Sequence, residues 1–293
     1  MRKTVRAIWR IITTPFRFIF WLIRTVSRWT IRTYNNLSEL LTMEVDDEPL
    51  ADTFSKTMEN PMGLMEHLNA LRKHLFRAVV FLLLTTSLSF VIAPRIIDIM
   101  AQPVGGISHL KAIDVTEPIG VFMRVALLSG FALALPYIIF ELWLFAAPGL
   151  KRKSRLYSLA AIPMAFVLFL GGMAFAFYIM LPVGIPFLIH FMGINTEPTP
   201  NNYVRFVSGV LFWIGVSFEF PLIIYILSLI GLVKAQFLKD QWRLAVVLIA
   251  ILAAAVTPTV DPINMSIVMV PMIFLYFLSI GLAYLGQRSH QRA

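Results

Sequence analysis

Residues 205–234 read RFVSGVLFWIGVSFEFPLIIYILSLIGLVK, and Glu219 is the only charge among the 28 residues between the terminal arginine and lysine. An apolar segment of this length predicts a membrane-spanning helix, since about 20 residues cross the ~30 Å hydrocarbon layer. A carboxylate at its midpoint costs about 2.5–3.5 kcal/mol by insertion scales, so Glu219 is predicted to be functional. Pro221 has no N–H for the carbonyl of Ser217, which predicts a kink beside the acid. The alternative is an acid kept protonated and hydrogen-bonded inside a helix bundle.

The composition is that of a membrane protein. Hydrophobic residues make up 58% of the chain and the mean hydropathy is +0.78, whereas soluble domains are roughly 45–50% apolar. Cysteine is absent, which excludes thiolate metal sites and cysteine nucleophiles. The chain also has no HExxH pair, no GxxxxGK[ST] phosphate loop and no GxSxG nucleophile elbow. We therefore expect binding or transport rather than enzymatic catalysis, and no cofactor.

Six apolar runs predict an all-α polytopic membrane protein with six transmembrane helices. The runs are 78–94, 119–147, 157–181, 206–233, 244–256 and 265–285. The fifth run has only 13 residues, about 20 Å of helix, which is shorter than the hydrocarbon layer. We expect local thinning of the bilayer or cover from neighbouring helices at this run.

Lysine and arginine are distributed unevenly among the segments between these runs. They are frequent before the first run, after the second and fourth, and after the sixth: Arg72, Lys73, Arg77, Lys151, Arg152, Lys153, Arg155, Lys234, Lys239, Arg243, Arg288 and Arg292. The intervening loops contain Arg95 and Lys111, with none in 182–202 or 257–264. Cytoplasmic loops are enriched in positive charge, so both termini are predicted to face the cytoplasm.

Residues 1–35 are predicted to form a basic amphipathic arm on the surface of an anionic membrane. Eight basic residues and no acid occur in 1–32, and on one continuous helix they fall within an arc of about 120°. Pro15 would divide this helix into two, and an organellar transit peptide is an alternative interpretation. A secretory signal peptide is disfavoured because Arg17 and Arg24 bracket the apolar core and no small-residue cleavage site follows.

The charge changes sign after the arm. Residues 39–59 contain seven acids and one base, Lys56, which predicts an acidic flexible linker over residues 36–64. The six-helix membrane domain is then predicted to occupy residues 65–288, followed by a short tail at 289–293.

Six short fragments follow one another between about Met65 and Leu285. They are HLNALR at 67–72, Pro103 with DVTEP at 114–118, WLFAAPGL at 143–150, GMAFAF at 172–177, FEFP at 218–221 and TPTVDP at 257–262. Each fragment alone is weakly specific, but the ordered set resembles the TatC family, the receptor and core subunit of the twin-arginine protein translocase. The residues before Met65 lie outside this resemblance.

The resemblance implies a cupped six-helix bundle with short last spans in the cytoplasmic membrane of a prokaryote. It implies binding of Arg-Arg signal peptides of folded proteins and recruitment of TatA/TatB-like single-span subunits, in a homo- or hetero-oligomer powered by the proton-motive force. Arg72 and Phe145 match cytoplasmic positions that are important in the family, and Pro103 and Asp261 match positions in the outer loops. Glu219 matches the buried acid that meets partner helices or the signal peptide.

Two departures from the family pattern affect the predicted signal-peptide site. Ala70 replaces the glutamate of the usual His-Leu-x-Glu-Leu-Arg motif, and Ser154 replaces a second glutamate within an otherwise basic loop. Paired guanidinium groups favour bidentate carboxylates, which a loop of like charge would repel. Glu66 lies one helical turn before Ala70 and could substitute for it. Glu141, near the inner end of the second run, is the other candidate. Their alternative roles are a charge favouring a helix N-terminus for Glu66 and a pair with a basic loop residue for Glu141.

Three other interpretations remain open. A divergent TatC-like paralogue could keep the fold and have weakened signal-peptide recognition, which the losses at Ala70 and Ser154 favour. A proton-coupled small-molecule permease could use Glu219 as its proton carrier, although no inverted repeat is evident. A purely structural Glu219 predicts that replacing it with glutamine is harmless.

Overall fold

The computed structural model describes residues 61–149, 155, 158–189, 198–229, 231–256 and 262–292. Regular structure within these ranges is entirely helical, which confirms the all-α class. The helices are α1 (Pro61–Ser89), α2 (Ala93–Met100), α3 (Glu117–Ala146), α4 (Ala161–Phe175), α5 (Leu181–Ile189), α6 (Pro200–Phe218), α7 (Phe220–Leu229), α8 (Ala235–Asp240), α9 (Trp242–Val256) and α10 (Pro262–Arg292). The arm at 1–35 and the linker up to residue 60 lie outside the described residues.

The six apolar runs fall largely on these helices. Four continuous stretches are long and apolar enough to cross a membrane: Glu117–Ala146, Ala161–Ile189, Pro200–Leu229 and Met265–Arg288. A fifth is reached if the bent pair of α1 and α2 counts as one span. The fifth run forms the shorter apolar helix Trp242–Ala255, as its length predicts. Several apolar helices therefore lie in the part of the chain that the structure describes.

The first run is bent, which differs from the single span predicted at 78–94. α1 ends at Ser89, and α2 leaves it at 76°. Pro94 lies in the first turn of α2, where its missing N–H costs nothing, whereas a proline inside a continued α1 would break the hydrogen-bond ladder. The bend directs Ile97 and Met100 of α2 into the core.

The third run contains a π-helical turn. α4 and α5 are joined through Ala176–Met180, and together they form one continuous stretch. A π turn closes its hydrogen bonds five residues apart instead of four, so it accommodates one additional residue within the helix. Beyond it, Leu181 and Ile185 are buried in the same core as α2 and α6.

α1 and α3 are in backbone contact at Gly130. The Thr85 hydroxyl donates to the Gly130 carbonyl at 2.8 Å. A Cβ atom on Gly130 would lie 2.5 Å from the Cα atom of Thr86. Small residues let membrane helices approach this closely, and the contact fixes the register between α1 and α3.

Side-chain to backbone hydrogen bonds hold other elements together. The Tyr203 hydroxyl on α6 donates to the Met100 carbonyl of α2 at 2.7 Å. The Ser228 hydroxyl on α7 donates to the Ala283 carbonyl of α10 at 2.7 Å. The Tyr276 hydroxyl on α10 donates to the Leu238 carbonyl of α8 at 2.5 Å. Each bond satisfies a buried hydroxyl and fixes one helix against the next.

Candidate functional site

Glu219 lies at an interruption between α6 and α7. α6 ends at Phe218 and α7 begins at Phe220, because Pro221 cannot donate to the Ser217 carbonyl. The Glu219 side chain is 7% exposed, and its Oε1 atom is buried without a hydrogen-bond partner among the described residues. Unsatisfied buried oxygens are costly, so this oxygen is suited to accept a hydrogen bond from another molecule.

A close crossing of α4 and α6 positions Glu219. A Cβ atom on Gly172 would lie 2.9 Å from the Cα atom of Gly215 and 2.8 Å from the Phe218 ring. Only glycines permit this approach, and it places the Glu219 carboxylate beside the backbone of Phe169. The acid is therefore held at a helix crossing rather than on a free helix face.

Glu141 on α3 is the most completely buried acid of the described residues, at 1% exposure. Its Oε2 atom lies 2.6 Å from Nδ1 of His74, and its Oε1 atom accepts from the Tyr137 hydroxyl at 2.5 Å. The guanidinium of Arg77 is 3.6 Å from Oε2. Both oxygens are already paired, so an incoming guanidinium must compete with His74 and Arg77.

The described partners of Glu141 come from α1 and α3. The alternative role predicted for Glu141 is a pair with a neighbouring basic loop residue, whereas its described basic partners, His74 and Arg77, lie on α1. Residues 150–154, in the loop after α3, lie outside the described part. Tyr137 and Glu141 are one turn apart, a spacing that could have indicated their contact from sequence.

Glu66, Ala70 and His74 form one stripe along α1. They are spaced four residues apart, so each is turned only about 40° from the one before. Glu66 is exposed, Ala70 is half-buried, and the stripe ends at His74, which contacts Glu141. The stripe therefore begins with the acid Glu66 and has the small residue Ala70 in its middle. It ends at His74, which contacts the acid Glu141 on α3.

Phe145 connects the same part of α1 to the end of α3. Its ring centroid lies 4.5 Å from that of His67 and 6.3 Å from that of His74. Arg72 is exposed and lies on a different face of α1 from Glu66. The fold thus brings Glu66, Glu141 and Phe145 to one end of the α1–α3 pair, whereas Arg72 points elsewhere.

Arg155 is buried, which changes the predicted charge of its loop. The side chain is 1% exposed, and its guanidinium donates to the Pro148 carbonyl at 3.5 Å. Burial lowers the pKa of Arg155 from its ordinary value. The neighbouring Ser158 hydroxyl accepts from the Trp143 indole at 2.8 Å. Arg155 therefore contributes less to repulsion of a cationic ligand than the sequence suggested.

The residues that the sequence predicts in outer loops lie at the opposite ends of these helices. Pro103 is in a 3-10 turn, Gln102–Val104, which packs against α5. Asp114 accepts from the Thr116 N–H at 3.0 Å, and this hydrogen bond lowers the pKa of the exposed Asp114 carboxyl. Asp261 lies outside the described residues. Pro103 and Asp114 are therefore separate from the site at Glu66 and Glu141.

The apolar helices and the buried acids indicate the class of protein to which the chain belongs. The chain is a polytopic membrane protein with two buried acids, and the described residues contain no group of metal-binding side chains. Its sequence then matches the family model described as "Sec-independent protein translocase protein (TatC)" over residues 66–271. The chain belongs to the TatC family of translocase components, which are not enzymes.

Curated relatives carry the same name. The TatC protein of Carboxydothermus hydrogenoformans is 34% identical over 228 residues, which cover 77% of this chain and 94% of the relative. TatCy of Bacillus subtilis is 31% identical over 238 residues, covering 80% and 93%. A crystal structure titled "Twin Arginine Translocase Receptor- TatC" has a TM-score of 0.65 at 26% identity, covering 76% of this chain and 100% of the other.

Proposed function

We propose that this chain is the signal-peptide-binding subunit of a twin-arginine translocase in the cytoplasmic membrane of a prokaryote. The chain crosses the membrane six times with both termini in the cytoplasm, the bent α1–α2 pair and the short α9 each serving as a span. The basic arm at 1–35 rests on the anionic lipid surface, and the linker predicted at 36–64, whose last four residues form the start of α1, connects it to the membrane domain. The observation that carries this proposal is the stripe of Glu66, Ala70 and His74 on α1, which ends at the carboxylate of Glu141.

In this proposal the arginine pair binds along the α1 stripe. One guanidinium pairs with the exposed carboxylate of Glu66, and the space beside Ala70 admits the second toward Glu141. Charge-assisted bidentate pairing distinguishes arginine from lysine, whose ammonium group has no planar fork. The second guanidinium takes the place of the Arg77 guanidinium, which makes the longest of the three contacts to the Glu141 carboxylate. Phe145 and its two histidine contacts form the adjoining wall.

Site-specific photocrosslinking tests this stripe. A probe at Ala70, which leaves the Glu66 carboxylate in place, is expected to crosslink a twin-arginine precursor about ten-fold more strongly than a Lys-Lys precursor, because the bidentate geometry is lost with lysine. The matched control is a probe at Leu68, which is exposed on the opposite side of the same helix. Equal crosslinking of both precursors, or crosslinking at Leu68 as strong as at Ala70, would contradict the proposal.

We further propose that Glu219 accepts a hydrogen bond from a TatA/TatB-like single-span subunit during transport driven by the proton-motive force. Its Oε1 atom lacks a partner within the described chain, and Pro221 leaves the neighbouring Ser217 carbonyl without its usual helical N–H donor. A hydrogen bond to a charged group contributes about 1.5–3 kcal/mol. The same acid would be expensive to keep in a membrane helix without such a partner.

Glu219→Gln is expected to reduce export by about ten-fold or more, since a neutral amide is a weaker acceptor than a carboxylate. Export of a twin-arginine reporter measures this, with crosslinking from a probe at Ala70 expected to stay intact. Ser217→Ala, two residues away, is the control and should export normally. Normal export by Glu219→Gln would support the purely structural role instead.

The second candidate is a TatC-like paralogue that retains the fold and has weakened signal-peptide recognition. The observation that favours it is the pairing of both Glu141 oxygens inside the chain, added to the absence of acids at positions 70 and 154. Association with single-span subunits without arginine-dependent crosslinking would establish this candidate.

A further inference from the structure

A groove lies where α8 and the start of α9 meet the second half of α10. It has a volume of about 510 Å³ and is lined by Lys239, Trp242, Phe277, Ile280 and Tyr284. Pockets that hold small molecules are roughly 300–1,000 Å³. The groove is distant in sequence from Glu66 and Glu141, and it contains neither Glu219 nor any other acid among its lining residues.

The walls of the groove are aromatic and half-exposed. Phe277, Ile280 and Tyr284 are spaced three and four residues apart, so they form one stripe on α10. Trp242 is 44% exposed, Phe277 50% and Tyr284 42%. Tryptophan and tyrosine concentrate at the interface between hydrocarbon and water, where a ring can be apolar at one end and hydrated at the other.

The charge around the groove is positive. Lys239 lines it, Arg243 lies over the Trp242 ring with its guanidinium carbon 5.7 Å from the centroid, and Arg288 extends the α10 stripe one turn beyond Tyr284. Lys239 forms no ion pair with another described residue. The nearby acid, Asp240, accepts from the Gln236 amide at 2.9 Å. The ammonium group of Lys239 complements one negative group placed at the mouth of the groove.

The position of Lys239 is fixed by the fold. The Tyr276 hydroxyl on α10 donates to the carbonyl of Leu238, the residue before Lys239. Leu238 and Ala235 are buried in the same small core as Tyr276. α8 is therefore anchored to α10, and Lys239 is held beside the aromatic stripe instead of moving with a free loop.

We propose that this groove binds one anionic phospholipid. The phosphate lies at Lys239, with Arg288 and Arg243 within the same positive field, and an acyl chain lies along Phe277 and Ile280. Basic pockets beside membrane helices recognise anionic lipid headgroups in this manner. The site also suits the short α9, whose 15 residues give about 22 Å of helix, because a tightly held lipid covers the adjoining hydrophobic surface where the bilayer must thin.

Native mass spectrometry of the purified full chain tests the proposal. The protein is equilibrated in mixed micelles with palmitoyl-oleoyl phosphatidylglycerol or with phosphatidylcholine of the same acyl chains. We expect one phosphatidylglycerol to be retained in preference to phosphatidylcholine, and Lys239→Gln to weaken that retention about five-fold. Phe277→Ala is expected to reduce retention of both lipids, because it removes part of the apolar wall.

Lys234→Gln is the matched control, since it removes the same charge from the residue that precedes α8 and does not line the groove. Retention equal in Lys239→Gln and Lys234→Gln would overturn the proposal, because the charge effect would then be general. No preference for phosphatidylglycerol would also overturn it. If a second copy of the chain or a single-span helix fills the groove instead, lipid retention will not respond to Lys239, and the proposal fails. The assay involves no transport, so its result is independent of the proposed receptor function.

Discussion

Glu141→Ala is expected to lower the free energy of unfolding by about 2–4 kcal/mol, because it removes the carboxylate that a buried cluster shares. Glu141 is 1% exposed and is shared by His74, Tyr137 and Arg77. The expected loss lies toward the lower part of the range for buried pairs, since the Arg77 side chain is 39% exposed and water can replace part of its interaction.

Thermal unfolding of the detergent-purified protein measures this effect. Glu66→Gln is the control, since Glu66 is exposed and its replacement should change stability by less than about 0.5 kcal/mol. Glu141→Gln should fall between the two variants, because the amide oxygen still accepts from Tyr137 but the amide nitrogen cannot accept from His74. If Glu141→Ala unfolds at the same temperature as Glu66→Gln, the cluster does not hold α1 to α3.

Gly172→Ala is expected to destabilise the protein by about 1–3 kcal/mol, whereas Gly171→Ala should not. The added Cβ atom at Gly172 would lie 2.9 Å from the Gly215 Cα atom and 3.0 Å from the Ile214 carbonyl oxygen, both of which are backbone atoms that cannot rotate away. The same atom at Gly171 would meet nothing within 4 Å. The two substitutions are chemically identical and adjacent in sequence.

This pair of variants also tests how the α4–α6 crossing supports Glu219. Separating the helices moves Phe218, the residue next to Glu219, so Gly172→Ala should reduce export along with thermal stability. Gly171→Ala should match the parent chain in both measurements, or gain stability from the better helix propensity of alanine. Equal stability of the two variants would show that the crossing adapts without cost.

Much of the helical arrangement could be predicted from the sequence. The positions of the apolar runs, the short α9 and the interruption at Glu219 follow from composition, length and Pro221. The bend at residues 90–92 differed from the prediction because the apolar run 78–94 continues through it, and hydropathy does not register the missing N–H of Pro94. That proline was present in the sequence, and its position near the end of a run is the signal that could have revealed the bend.

Less of the candidate site could be predicted from the sequence. Glu219 stands out because one charge in an apolar span is visible in the sequence. The pairing of Glu141 with His74 is not visible, since these residues are 67 positions apart and meet only through the register set at Thr85 and Gly130. The burial of Arg155 likewise depends on a tertiary contact, that of its guanidinium with the Pro148 carbonyl. Local spacing indicates helix faces, but contacts between helices require the packing itself.

The π-helical turn at Ala176–Met180 has a consequence for how this chain can change in length. Deleting one residue there would restore regular α geometry and leave the downstream residues on nearly the same faces, because the turn holds one residue more than an α-helix needs. Leu181 and Ile185 would then stay in the core. A deletion elsewhere in the third span would rotate the downstream residues by about 100°, so a one-residue difference in the length of this span between relatives is expected at the π turn.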